Sequence, residues 1–253
     1  MRRIRITVAY DGTRYHGWQV QPGLATIQSE LERVVSVIDN RGVQVAGSGR
    51  TDAGVHALGQ VAAFDLANPL PCPNLKKAMN RILPVDIRIL DAAEATPDFH
   101  PRYQAVAKTY EYRICRAEVC PPMRRLYCFH YPYKLDESGM ASAATVLEGE
   151  HDFSAFAASD QKDELGHSKV RTIFSSTLSR DGDDLVYRVR GSGFLKHMVR
   201  IIVGTLIEVG KGNLDNAALR IRLEAGSPHK AGPAVPARGL RLISVEYPVG
   251  DAC

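Results

Sequence analysis

The chain has 253 residues, of which 45% are hydrophobic and 24% are charged, and its formal net charge is +4. This composition is typical of a folded, soluble protein and argues against a disordered chain. No apolar run approaches the roughly 20 residues that a transmembrane helix needs, which excludes a membrane-spanning class. The first residues alternate charged and apolar side chains and do not resemble a signal peptide, so we expect a cytoplasmic protein.

The first half of the chain predicts a β-α-β-β-α-β order, which is the order of ferredoxin-like folds. Alternating polar and apolar residues indicate strands, and apolar residues at helical spacing indicate helices. Thr26 and Asn74 are residue types that cap helices at their N termini. A glycine-rich loop is expected over residues 47–57. The predicted strands cover 3–10, 43–46, 60–66 and 86–94, and the predicted helices cover 27–38 and 74–82.

The second half predicts a related order. The sequence Asp181-Gly182-Asp183-Asp184 between two alternating segments is typical of a β-hairpin turn. Predicted strands cover 108–115, 125–131, 171–179, 185–190 and 240–247, and predicted helices cover 137–149, 195–209 and 215–225. We therefore expect an α+β protein with two halves, 1–104 and 105–253, each with an antiparallel sheet and helices on one face.

Five cysteines are present, which is an odd number without a regular framework. No pair has C-x-x-C spacing, and no two histidines have H-x-x-x-H spacing. The pattern favours unpaired thiols over disulfides or a zinc site, so no metal site is predicted. The five are Cys72, Cys115, Cys120, Cys128 and Cys253.

Basic residues are mostly arginine, with 23 arginines and nine lysines. Arginine is favoured where a planar side chain must grip phosphate or stack on a base. This bias points weakly towards nucleic acid, because the coding composition of a genome can produce it too.

The glycine-rich loop holds the densest group of polar residues. It fails the dinucleotide-binding motif, because Asp52 stands where the third glycine should be, and it fails the P-loop motif, because Val55 stands where lysine should be. What remains is Asp52 on a glycine-shaped loop beside Arg50, whose charge would keep the carboxylate ionised. Such a group can act as a nucleophile or general base, or it can simply cap a turn.

The segment Gly49–Ala57, GRTDAGVHA, matches the G-R-T-D-x-G-V-H-A signature of the TruA family of tRNA pseudouridine synthases. Further segments resemble that family in the same order and spacing over nearly the whole chain. They are Tyr10–Gly12, Tyr15–Gln19, Phe99–Arg102, Lys108–Tyr110, Asp152–Phe156, Arg171–Ile173, Gly193–Arg200 and Gly239–Leu240. Two departures are Ala237, where the family usually has proline, and Ile201, where asparagine is common.

The resemblance implies roles for individual residues. Asp52 matches the catalytic aspartate, and Tyr110 matches the aromatic residue that packs on the target uracil. Arg50 and Arg200 match basic residues implicated in pairing with the aspartate and in base flipping, and Leu240 joins the substrate-binding candidates. Other residues are expected to contact RNA, by family position or as basic side chains: Arg14, Phe99, His100, Arg102, Lys108, Lys169, Arg171 and Lys196.

The resemblance also implies isomerisation of uridine to pseudouridine at positions 38–40 of the tRNA anticodon stem-loop. It implies a homodimer, without cofactor or metal, in which two α+β halves enclose a basic cleft. The chemistry is consistent with the residues. The reaction breaks the N1–C1′ bond and joins C5 to C1′, and one carboxylate suffices where glycoside hydrolysis normally uses two. Two routes are open to Asp52, attack on C1′ and abstraction of the 2′ proton, and the sequence does not choose between them.

Three other interpretations stay open at this point. A non-catalytic RNA-binding protein could have the same element order, but residues 59–66 lack the aromatic RNP1 pattern. A small-molecule enzyme would need a cofactor or metal motif, and none is recognisable. A synthase of the same family with another RNA target is the third alternative.

Overall fold

The computed structural model describes residues 1–158 and 168–248. The chain divides into two compact units. Unit 1 comprises Met1–Lys108 and the segment that begins at Arg241, and unit 2 comprises Thr109–Leu240. This division differs from halves at 1–104 and 105–253 mainly because the last strand belongs to unit 1 from Arg241 onward.

The chain contains both helices and strands, which confirms the expected mixture of α and β structure. The strands are β1 Arg2–Tyr10, β2 Ala46–Gly47, β3 His56–Leu66, β4 Ile87–Ala95, β5 Ala107–Cys115, β6 Phe129–His130, β7 Gly149–Asp152, β8 Val170–Asp181, β9 Asp184–Gly191 and β10 Leu240–Glu246. The helices are α1 Ile27–Asp39, α2 Cys72–Ile82, α3 Glu137–Val146, α4 Met198–Gly210 and α5 Asn216–Ile221. None of these described helices combines the length and apolar character that crossing a membrane requires.

The sheet of unit 1 has the strand order β4-β1-β3, and both β2 and β10 pair with β3. β1 runs antiparallel to both of its neighbours. Its alternation of polar and apolar residues buries Ile4, Ile6 and Val8 completely, as period-two patterning requires of a strand with one face on the core. β10 runs parallel to β3, with Arg241 opposite His56, which corrects the expectation of a purely antiparallel sheet.

The two helices of unit 1 begin differently. Thr26 caps α1 through a reciprocal pair of hydrogen bonds with Ser29, as expected for a threonine at this position. The predicted cap at Asn74 is wrong, because α2 begins two residues earlier, at Cys72, after Pro71. Pro73 is the second residue of the helix, where proline needs no N–H partner and has the right φ, and it favours this earlier beginning.

Unit 2 contains the strand order β5-β9-β8-β7, with the short β6 parallel to β5. The predicted hairpin is confirmed: Asp181 pairs with Asp184 across a turn in which Gly182 has φ +57°. Its position in the left-handed region favours glycine. α4 is almost wholly buried, as its apolar sequence predicts.

Four elements differ from their predictions, each by a few residues. The strand expected at 43–46 is reduced to Ala46–Gly47, and that expected at 125–131 is reduced to Phe129–His130. Residues 195–197 precede α4, and β7 was not predicted at all. Each difference concerns a segment of a few residues, where neighbouring strands decide the structure more than the local sequence does.

Candidate active site

Asp52 lies in the loop between β2 and β3 of unit 1, where it begins a tight turn. The Val55 backbone N–H donates to the Asp52 carbonyl over 3.1 Å, which closes a four-residue turn. Gly54, the third residue of that turn, has φ +75°, a conformation that glycine adopts without steric cost. Asp52 is half-buried, and the turn fixes its backbone.

Both flanks of the turn are fixed to the rest of unit 1. The Trp18 N–H donates to the Thr51 carbonyl at 3.0 Å, and the Tyr10 and Thr51 hydroxyls are 2.8 Å apart. On the other side of Arg50, the Gln60 side-chain amide donates to the Gly49 carbonyl at 3.0 Å. Buried hydrogen bonds of this kind restrict the loop to one conformation.

Gly17 allows a second loop to lie directly against the turn. A Cβ atom at Gly17 would lie 2.5 Å from the Thr51 carbonyl oxygen, and the residue has φ +87°. Trp18, next in sequence, is buried and packs its ring on Gly47. Trp18 therefore has a packing role beside this loop.

Lys108 reaches the same loop from β5. Its ammonium donates to the Ser48 carbonyl at 2.6 Å and lies beside Gly49. Burial, with a smaller contribution from the charge of Arg102, lowers the pKa of Lys108 to about 8. This residue therefore supports the loop backbone, a role that the sequence did not suggest when it indicated a phosphate contact.

Arg50 and Arg14 are the exposed arginines near this part of unit 1. The Arg50 Nε donates to the Gln19 side chain at 2.9 Å. Arg14 pairs with Asp86 at 2.5 Å, and the Tyr15 hydroxyl donates to the same carboxylate at 2.6 Å. Arg14 is thus already ion-paired, which weakens its expected role as a phosphate contact.

The segment from Phe99 to Arg102 contains one buried and two accessible candidates. Phe99 is 1% exposed and packs on Tyr247, with ring centroids 5.2 Å apart. Its burial argues against the direct RNA contact expected for it. His100 Nδ1 accepts from the Arg102 N–H at 3.1 Å, and burial lowers the pKa of His100. Arg102 is exposed, with its guanidinium over the Tyr103 ring.

Unit 2 holds the three remaining substrate-binding candidates. Tyr110, on β5, is buried and meets the Phe194 ring edge-on, with centroids 5.0 Å apart. Arg200, on α4, is half-buried and donates to the Val235 carbonyl at 2.8 Å. Leu240 is 6% exposed at the first residue of β10.

The basic candidates of unit 2 differ in exposure. Lys196 is exposed, whereas Lys169 and Arg171 are half-buried. The Arg171 guanidinium donates to the Ser168 and Val170 carbonyls, and burial lowers its pKa. Among these three residues, only Lys196 is exposed.

Sequence reasoning missed the residues that hold the loop. Tyr10, Thr51 and Gln60 act through hydrogen bonds between segments far apart in sequence. Their local sequence pattern does not predict these hydrogen bonds. The signal for Gly17 was its place in the Tyr15–Gln19 segment, but its close approach to Thr51 required the structure.

Comparison with known proteins places the chain among RNA-modifying enzymes. Residues 6–104 and 143–248 match the family model described as tRNA pseudouridine synthase. Together these ranges include the loop with Asp52 and the helix with Arg200. The chain belongs to the tRNA pseudouridine synthase family.

Individual relatives extend over almost the whole chain. The chain is 62% identical over 247 residues to the tRNA pseudouridine synthase A of Solibacter usitatus, covering 98% of this chain and 100% of that protein. It is 44% identical to the protein of the same name from Geobacillus sp. strain WCH70, covering 97% and 98% of the two chains. The chain is therefore an enzyme that isomerises uridine to pseudouridine in tRNA, as its resemblance implied.

Proposed function

We propose that Asp52 is the catalytic carboxylate of this isomerisation. The observation that carries the proposal is the placement of a half-buried aspartate at the first position of a turn whose two flanks are hydrogen-bonded to β1, β3 and the Trp18 segment. A carboxylate held in this way needs little reorganisation before it reacts. It can attack C1′ of the target nucleotide or take the 2′ proton.

The atoms of the reaction balance without an external reagent. The N1–C1′ bond breaks, uracil leaves as an anion and rotates, and its C5 forms the new bond to C1′. The proton on C5 is then lost, and N1 gains one. Asp52 carries the first step in this account, and a separate base or solvent removes the C5 proton.

Four residues act on the target uridine in this proposal. Tyr110 stacks on the flipped uracil, which returns about 1–3 kcal/mol of the cost of removing a base from its helix. Arg200 and Arg50 supply positive charge that pairs with the aspartate, and they fill the space that the flipped base leaves in the RNA helix. Leu240 contributes apolar contact with the uracil.

RNA contacts are assigned to the accessible basic residues. Arg102 and Lys196 are exposed and reach phosphates, and His100 is placed by its bond with Arg102 to contact the backbone. Arg14, Lys169 and Arg171 contribute more weakly because they are paired or half-buried. Phosphate contacts of this kind make affinity fall with added salt.

The substrate is the anticodon stem-loop, with uridines at positions 38–40. The chain comprises two ferredoxin-like halves, 1–104 and 105–253, in this proposal. The strand order of unit 1, with β2 and β4 on opposite sides of the β1–β3 pair, supports a ferredoxin-like first half. The protein acts in the cytoplasm as a homodimer without cofactor.

Mapping of pseudouridine in tRNA transcripts tests the substrate assignment. Transcripts with uridine at positions 38, 39 and 40 should gain pseudouridine there, and transcripts with cytidine at all three should gain none. Modification elsewhere in the tRNA would contradict the assignment and leave the family activity intact. Sedimentation of the protein tests the oligomer: a homodimer has twice the 27.8 kDa mass of the chain.

A further inference from the structure

Three cysteines of unit 2 meet at one place although they are spread over 14 residues of sequence. Cys115 ends β5, Cys128 immediately precedes β6, and Cys120 lies in the connection between those strands. β5 and β6 pair in parallel, with Cys115 opposite His130, and this pairing brings the ends of the connection together. Their three sulfur atoms lie within 4.8 Å of one another.

Two of the sulfurs have the separation of ligands around one metal ion. Zinc–sulfur bonds of about 2.3 Å at tetrahedral angles place two sulfurs ~3.8 Å apart. The Sγ atoms of Cys120 and Cys128 are 3.7 Å apart. A disulfide would use only two of the three sulfurs, whereas a metal site uses all three.

The surroundings also suit a cation with thiolate ligands. The thiolate ligands would form as the ion binds, because the metal displaces the thiol protons. Three thiolates and a divalent cation leave one negative charge, and the Arg124 guanidinium lies within electrostatic reach of Cys115 and Cys128.

We propose that Cys115, Cys120 and Cys128 bind a thiophilic cation of the zinc class, which ties the β5–β6 connection to the sheet. Soft thiolate ligands select such ions over magnesium or calcium. In the described parts of the chain, no histidine or carboxylate joins the three sulfurs as a fourth ligand. Cys120 is half-buried, so solvent can supply the fourth ligand. The site is structural, and it is separate from the proposed chemistry at Asp52.

Cobalt titration of the full-length protein tests this site. The protein is stripped of metal and reduced with a phosphine, and its five thiols are counted in denaturant. Anaerobic addition of Co²⁺ should produce a thiolate-to-cobalt band and the visible bands of tetrahedral cobalt. Both should saturate at one ion per chain and vanish on addition of Zn²⁺. Absence of the thiolate band from fully reduced protein overturns the proposal.

Matched variants identify the ligands. Cys120→Ser, which changes the least buried of the three, should raise the half-saturating Co²⁺ concentration more than about 10-fold. The double variant Cys72→Ser, Cys253→Ser retains only the cluster and should bind like the wild type; Cys253 lies outside the described residues. Unchanged affinity in Cys120→Ser, or loss of the band in the double variant, contradicts the assignment.

A redox role is the competing outcome. If reduced protein binds no cobalt, and hydrogen peroxide instead removes two thiols and forms a Cys120–Cys128 disulfide with release of water, the cluster is an oxidisable pair and the metal proposal is wrong. Circular dichroism of each variant verifies that it is folded. Should Cys120→Ser fail to fold, Cys120→Ala replaces it.

Discussion

The hydroxyl oxygens of Tyr10 and Thr51 are 2.8 Å apart in the interior of unit 1. Tyr10 is the last residue of β1, and Thr51 immediately precedes Asp52. Both side chains are buried. Burial raises the pKa of Tyr10 to about 12, so its hydroxyl keeps its proton at any pH at which the enzyme would be assayed. One hydrogen bond therefore connects the first strand to the backbone that positions the proposed catalytic carboxylate.

Removing that hydroxyl should affect turnover more than RNA binding. Tyr10→Phe leaves the Thr51 hydroxyl without its partner, and we expect a loss of about 1 kcal/mol in unfolding free energy. We expect kcat to fall about 3- to 10-fold, since small displacements of a reacting group are costly, with the Kd for tRNA unchanged.

Tyr15→Phe is the matched control, because the Tyr15 hydroxyl donates to Asp86 outside the turn. Tyr15→Phe should lose a similar amount of unfolding free energy, and its kcat should change little. An equal loss of kcat in both variants would show that Tyr10 acts through general stability and not through the loop.

The close approach of Gly17 to Thr51 predicts a strong effect of one methyl group. In Gly17→Ala the new Cβ would lie 2.5 Å from a backbone oxygen, at a residue with φ +87°. We expect a loss of more than about 3 kcal/mol, because overlap with backbone adds to the left-handed strain of about 1–2 kcal/mol.

Gly23→Ala separates these two causes. Gly23 has φ +73° and open space around its Cβ position, so only the strain should appear. Urea unfolding, and the rate at which each variant releases tritium from C5-tritiated tRNA during turnover, provide the comparison. Equal destabilisation by the two substitutions would mean that the turn can move away from Gly17.

The lowered pKa of Lys108 predicts how stability changes with pH. Between about pH 8 and 10.4 the folded chain has released this proton while the unfolded chain still holds it. The unfolded state therefore binds more protons, and this lysine's contribution to the unfolding free energy rises with pH through that window.

Lys108→Met removes this contribution. The difference in unfolding free energy, wild type minus variant, should increase between pH 7.5 and 9.5 in urea titrations. Lys77→Met, an exposed lysine on α2, supplies the matched comparison. A difference that stays flat or decreases with pH would contradict the burial of the ammonium against Ser48.

The stacking role of Tyr110 predicts a variant that binds tRNA but turns it over slowly. Tyr110→Leu keeps an apolar side chain and loses the aromatic face. The flipped base then loses about 1–3 kcal/mol of stacking free energy, which corresponds to a fall of roughly 5- to 150-fold in kcat/KM. Tyr133→Leu changes an exposed tyrosine of unit 2 and should have no effect. Full activity of Tyr110→Leu would exclude stacking as its role.

Much of the fold was predictable because its signals are local. The alternation in β1, the Thr26 cap of α1 and the Asp181–Asp184 turn each depend on residues close in sequence. The parallel pairing of β10 with β3 was not predictable, since it joins residues about 185 positions apart.

The residues of the candidate site were proposed from the sequence, whereas the contacts that hold them were not. The Gly49–Ala57 signature indicated Asp52, and the range that matches the family model includes this segment. Burial of Phe99, the Lys108–Ser48 contact and the gathering of three cysteines arise from tertiary packing. A cysteine spacing without C-x-x-C gave no reason to expect that cluster.

The most direct test of the account is release of tritium from C5-tritiated tRNA by the wild type, Asp52→Asn and Asp91→Asn. Each new C5–C1′ bond expels one C5 proton, so release counts turnovers. We predict that Asp52→Asn binds tRNA as the wild type does and releases tritium at least about 1,000-fold more slowly. Asp91→Asn, an exposed carboxylate on β4, should match the wild type. Tritium release by folded Asp52→Asn at the wild-type rate would contradict the central claim and place the chemistry on another residue.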